Sequence, residues 1–219
     1  MVKDVAIYGA GGFGREVLTL MNQINAVENK YNFKGFFDDG KTRGEMINGY
    51  PVLGGIDVLN TWKDSLGLIL AIGSSEIKRS VFAKIDNPNL FFPTLIHPSV
   101  LIGDHRYVSI GEGCIICAGC ILTVDIVIQR FVILNLSCTV GHDTEIGEFS
   151  SFMPTVNISG EVNIGKGVYV GTGAKIINRL SIGDGTIVGA GAVVAKSLPA
   201  ECTAVGVPAK AIKFHHPVN

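Results

Sequence analysis

The chain has 219 residues, 47% of them hydrophobic and only 17% charged, so it is too apolar for disorder and too poor in charge for the surface of a helical bundle. Eighteen Lys and Arg against nineteen Asp and Glu leave a net charge of -1, which excludes the electrostatic footprint of a nucleic-acid or anionic-membrane binder and requires any anionic ligand to be held locally. The longest apolar run, near Leu66–Ile72, is far short of the roughly 20 residues that span a bilayer, and the five Cys without a secretory context predict reduced thiols in a cytoplasmic protein.

Taken in order, Val5–Tyr8 reads as a buried strand, Gly9–Gly14 as a turn and Arg15–Ile24 as an amphipathic helix. Phe33–Phe37 is a second strand ending in Asp38 and Asp39, and Leu68–Ile72 a third ending in Gly73. A helix over Glu76–Ile85 and a strand near Leu90–Phe92 follow. This alternation predicts a small parallel α/β domain of Rossmann type over residues 1–93. Gly9, Gly11 and Gly14, spaced G-x-G-x-x-G between strand and helix, let backbone N–H groups approach a phosphate at the helix N-terminus. Asp38 and Asp39 stand where that fingerprint places its ribose or base ligand. A glycine turn needed only for packing is the alternative. A full dinucleotide site needs two mononucleotide halves and only one fits here, so a single nucleotide suits the domain better than the NAD of an oxidoreductase.

Residues 94–219 follow another rule. From Ile110 in steps of six to Val194, all fifteen positions are apolar, and the next residue is Gly at 111, 141, 147, 165, 171, 183 and 189. A period of six fits neither helix nor meander; it fits a parallel β-helix in which three short strands make an eighteen-residue triangular coil, nearly five coils from Ile110 to Val194. Gly is expected to relieve corner backbone angles that are awkward for a side chain. The eight-residue step from Ile102 to Ile110 predicts a bulge holding His105 or Arg106.

His142 follows corner Gly141 and precedes Asp143, so it projects from an edge, and one coil on lies Gly160. An imidazole there can accept a proton near neutral pH, Asp143 can orient it, and the Gly160 N–H can face a developing oxyanion. Asn135 is expected on the preceding strand. A solvated corner histidine is the alternative. Cys114, Cys117 and Cys120 resemble a metal-ligand run, but Cys114 and Cys120 share the small packing slot of Cys138, Cys117 takes the Gly-like slot and Val124 stands where a fourth Cys would, so buried thiols and no metal are expected. His215 and His216 are expected to be solvated.

The hexapeptide run, the Gly9–Gly14 loop, Asp38-Asp39, the segment from Ala71 to Lys78, Asn135-x6-His142-Asp143 and the closing Gly206-Val-Pro-Ala-Lys210 together resemble one family. It is that of the sugar acyltransferases which include sialic acid O-acetyltransferases and UDP-4-amino-sugar N-acetyltransferases, among them the bacillosamine-pathway and perosamine enzymes. The resemblance implies a left-handed β-helix, a homotrimer and acetyl-CoA in the groove between neighbouring helices, contacting Gly160, Gly171 and Ala190. It implies His142 as general base with Asp143 beside it, and a nucleotide-linked amino sugar resting on Gly11, Gly12, Gly14, Asp38, Asp39, Gly73 and Asn135. O-acetylation and a non-catalytic scaffold are the other readings, and a zinc hydratase on this helix would need more His than the repeat offers. Two departures stand out: Phe13 replaces a His expected to touch the sugar nucleotide, and Ser151 replaces a His expected to touch the acetyl group. Pro154-Thr155 also replaces a more usual Pro-Gly.

Overall fold

A computed structural model of the chain describes residues 2–215. The N-terminal part runs β1 (Lys3–Tyr8), α1 (Gly12–Val27), β2 (Tyr31–Phe37), β3 (Met46–Ile47), β4 (Tyr50–Gly54), α2 (Ile56–Asn60), β5 (Leu66–Leu70), α3 (Ser75–Ala83) and β6 (Leu90–Phe91). The sheet order is β3-β4-β2-β1-β5-β6, parallel except for the β3–β4 hairpin. The hairpin and α2 are absent from the sequence reading. Asn48-Gly49, with φ of 49° and 83°, is the tight-turn signal that marks the hairpin, but its two-residue strand carries too little alternation to announce itself. Helix α1 extends beyond the expected Arg15–Ile24 at both ends; Val17, Leu18, Met21 and Ile24 are its buried stripe.

The rest is a left-handed parallel β-helix with three faces. Face one carries Leu95–Ile96, Ile115–Ile116, Ile133–Leu134, Ser151–Phe152, Tyr169–Val170, Ile187–Val188 and Cys202–Val205; face two runs from Leu101–Ile102 to Val193–Val194; face three runs from Val108–Ile110 to Ser181–Ile182. Register advances by eighteen residues per coil, as in Leu122 opposite Val140 and Ile158 opposite Ile176. The solenoid thus begins one coil before Ile110 and continues past Val194, where Lys210–Phe214 turns back antiparallel on Cys202–Val205. The inward aliphatic residues fill the prism, and Cys114, Cys120 and Cys138 are buried thiols among them. The irregular eight-residue step is a turn in which Arg106 pairs with Asp104.

The structure corrects the reason for the corner glycines. Gly141 and Gly171 do not have positive φ; a Cβ on either would stand 2.5–2.6 Å from the backbone nitrogen of Gly160 or Ala190 on the next coil. Coils approach too closely there for any side chain. Positive φ falls two residues later, every six residues from Gly113 to Gly191, and Phe131, Asp143, Phe149 and Thr155 are among the non-glycines that adopt it, with φ of 58°, 55°, 62° and 60°. Phe131 and Phe149 stack at 5.0 Å on the edge between faces three and one, and Phe82 of α3 packs 4.7 Å from Phe131. Their strained backbone aims both rings at the N-terminal domain. On face one, Leu95, Ile115, Cys117 and Ile133 share a core with Val17, Leu18 and Met21 of α1, so the domain is docked on that face.

Candidate active site

The residues expected to meet a nucleotide gather at the carboxyl ends of three adjacent strands, with β1 between β2 and β5, where an open α/β sheet reverses its order and forms a crevice. Gly9 has φ of 105° and Gly14 packs directly on the Gly9 carbonyl, so both are required by the turn itself. Gly11 differs: it is the N-cap of α1 without a side-chain cap, and a Cβ there would meet nothing within 4 Å. The fold leaves that N-terminus open without needing a glycine for its own packing, and Gly12 is nearly as free. Asp38 accepts from Ala10 N at 2.8 Å and from Gly40 N at 2.8 Å, which braces the glycine loop. Asp39 accepts from Tyr8 Oη at 2.8 Å and Ile56 N at 2.7 Å. Burial and this carboxylate push the Tyr8 phenol well above its ordinary range. A Cβ on Gly73 would meet Met153 Cε at 3.9 Å, so the crevice abuts the edge between faces one and two.

His142 lies on a different edge, between faces two and three, opposite the docked domain. Asp143, held at positive φ, sets its Oδ2 2.7 Å from Nδ1. With the carboxylate accepting Nδ1–H, Nε2 keeps a lone pair. The ring covers Gly160, where a Cβ would come within 2.6 Å of Cε1. The second residue after each inward aliphatic one leaves the hydrogen-bond ladder and points its N–H outward. At Leu136, Glu148 and Lys166 that N–H is taken by the side-chain oxygens of Asn135, Gln129 and Asp184; at the others, Gly160 and Ala190 among them, it has no acceptor among the described residues. Imidazole nitrogen and an uncapped donor therefore stand side by side.

Not every residue singled out converges within one chain. Asn135, buried and accepting from Leu136 N at 2.7 Å, lies on the edge between faces one and two, and a face-two strand separates it from His142. Gly171 and Ala190 stack on that same edge. Phe13 is half-buried against the interdomain core. Ser151 is fully buried beneath α3, where its Oγ accepts from Lys78 Nζ at 2.9 Å. His215 is not free in solvent but bonds Thr203 Oγ1 at 2.8 Å, and His216 lies outside the described residues. A groove of about 1120 Å³ runs from Gly73 past Arg79 and Tyr169 to Glu201 and does not reach His142. No helix among the described residues is long and apolar enough to cross a membrane.

Residues 4–85 match the PglD N-terminal domain and residues 161–196 the bacterial transferase hexapeptide (six repeats). The chain is 34% identical over 212 residues to the GDP-perosamine N-acetyltransferase of Escherichia coli O157:H7, covering 94% of this chain and 95% of that protein. Among solved structures, the acetyltransferase domain of PglB from Neisseria gonorrhoeae in complex with acetyl coenzyme A superposes with a TM-score of 0.86 at 30% identity, over 97% of this chain and 100% of that one. Perosamine N-acetyltransferase PerB from Caulobacter crescentus, solved with CoA and GDP-perosamine, gives 0.85 at 29% over 97% and 99%. WeeI from Acinetobacter baumannii gives 0.86 at 36% over 96% and 100%. Fold and site together define an acyltransferase enzyme built on hexapeptide repeats. The chain belongs to the sugar acyltransferase family that joins a PglD-type N-terminal domain to a left-handed β-helix.

Proposed function

We propose that the enzyme transfers the acetyl group of acetyl-CoA directly to the amino group of a nucleotide-linked 4-amino sugar, with His142 as general base. The observation that carries this is the contact of His142 with Gly160: a ring with Nδ1 engaged by Asp143, over a backbone N–H without an acceptor. As the sugar amine attacks the thioester carbonyl, His142 Nε2 takes the proton it loses. The Gly160 N–H donates to the carbonyl oxygen as it becomes an oxyanion, and the carbon–sulfur bond breaks to release CoA thiolate. The sugar's diphosphate meets the open N-terminus of α1 at Gly11 and Gly12, with Gly14, Asp38 and Asp39 shaping the turn around it. The relatives bound to acetyl coenzyme A, CoA and GDP-perosamine support both substrates.

The crevice at Gly73 adjoins the edge holding Asn135, Gly171 and Ala190, while His142 is on the edge opposite the docked domain. One copy therefore cannot bring its own crevice to its own histidine. A homotrimer, in which the crevice and edge of one copy face His142 of the next, completes the site with acetyl-CoA between them. A cytoplasmic location follows from the two substrates.

The test is thiol release from acetyl-CoA with GDP-perosamine, UDP-linked 4-amino sugars, hydroxyl-only sugar nucleotides and a no-acceptor blank. Release that depends on an amino sugar is expected. Release only with hydroxyl acceptors shifts the reading to O-acetylation, and a monomer by light scattering overturns the shared site.

A further inference from the structure

Among the described residues Lys78 is the one charged side chain in the buried set, at 1% exposure. It lies on α3, and its Nζ donates to Ser151 Oγ at 2.9 Å with no carboxylate in reach. Burying an ammonium against a single hydroxyl is costly, and an apolar chain of the same length would avoid the cost. Three residues earlier on the same helix face, the buried Ser75 Oγ donates to Val168 O at 3.0 Å. Ser151 and Tyr169 are register partners on face one, so the two bonds tie α3 across two successive rungs. Helix α3 begins directly after Gly73 and Ser74, which close the nucleotide crevice and line the groove beside Met153.

We propose that Lys78 is a positioning residue that, through Ser151, locks the Gly73–Ser75 end of the nucleotide crevice to the solenoid. It touches neither substrate. Its effect is to fix the height of the bound sugar nucleotide against the β-helix that carries the transfer site, and it rests on the acetyl-transfer reading only for its kinetic consequence. Losing the bond leaves both domains folded, since the apolar interface on face one and the Phe131–Phe149 stack remain.

Lys78→Met and Ser151→Ala are the probes, with Ser151→Thr keeping the hydroxyl. Hydrogen exchange of the amides of residues 73–79 in the substrate-free full chain is expected to quicken at least tenfold in the first two variants and to return to the original rate in Ser151→Thr; Tm is not lowered in Lys78→Met, which removes the charge, whereas Ser151→Ala, which strands it, melts lower. With GDP-perosamine and acetyl-CoA, KM for the sugar nucleotide should rise about tenfold while KM for acetyl-CoA stays within twofold. Unchanged exchange in both variants overturns the proposal, as does an equal rise in both KM values. The exchange arm needs no turnover, so a chain that acetylates nothing tested would sink the functional reading and still decide this one.

Discussion

The imidazole of His142 rests against the α-carbon of Gly160, one coil further along the same edge, so closely that only glycine fits beneath it. Gly160→Ala places a methyl where the ring stands. A half-exposed side chain can swing away at little cost, so Tm should fall by no more than a few degrees while kcat drops about 10²-fold, because Nε2 and the Gly160 N–H no longer converge. Steady-state kinetics beside thermal melts check this. Undiminished turnover would remove the pair from the mechanism.

Asp143 separates activity from stability. It orients His142 and also occupies a positive-φ corner, at 55°, that suits glycine better. Asp143→Gly is expected to keep or slightly raise Tm and lower kcat about tenfold, whereas His142→Ala should cost roughly 10²–10⁴-fold with trimer and CoA binding intact. Equal losses in both variants would mean that Asp143 does more than hold the ring.

The repeat made most of the solenoid legible: the aliphatic position every six residues gave the faces, and adding eighteen put Gly160 under His142. What stayed hidden depends on neighbouring chain segments rather than on period. The glycines were read for backbone angle when their cause is the approach of the next coil, and that approach exists only once coils stack. The true positive-φ register, 113 plus multiples of six, is in the sequence but masked by Phe131, Phe149 and Thr155, which no local preference places there. The burial of Lys78 has no signal along the chain, since nothing there says that Ser151 would meet it. Asn135 and His142 are only seven residues apart in the chain, but the face-two strand Thr139–Val140 lies between them and sets them on two different edges.

Thr155 and Phe149 share the strained corner conformation but differ in what their side chains do. Thr155 is exposed and β-branched, and its hydroxyl donates only to the adjacent Pro154 O at 2.7 Å. Thr155→Gly relieves roughly 1–2 kcal/mol of left-handed strain and gives back part of it in unfolded-state entropy, for a net gain of about 0.5 kcal/mol. Phe149→Gly relieves the same strain yet strips a buried ring from the stack with Phe131 and Phe82, and should lose about 2–3 kcal/mol. Denaturant midpoints of the two variants should move in opposite directions. Movement the same way would mean the corner angle itself sets the stability.

The buried ammonium of Lys78 predicts a pH dependence whose direction is fixed by burial. Desolvation lowers its pKa from 10.5 to about 7, with Cys114 a lesser influence in the other direction. Below pH 7 folded and unfolded chains both hold the proton, and the folded one bears the full cost of an unsolvated charge. Between about pH 7 and 10.5 the folded chain has released a proton that the unfolded chain keeps, so stability gains up to roughly 1.4 kcal/mol per pH unit relative to a chain without the group. Lys78→Met should therefore be the more stable protein at pH 6.5, and its advantage should shrink steadily at pH 8 and 9.5. Urea unfolding of both proteins at the three values measures the difference, in which all other titrating groups cancel. Parallel stability curves would mean that Nζ keeps its proton inside the fold, held there by a partner stronger than Ser151.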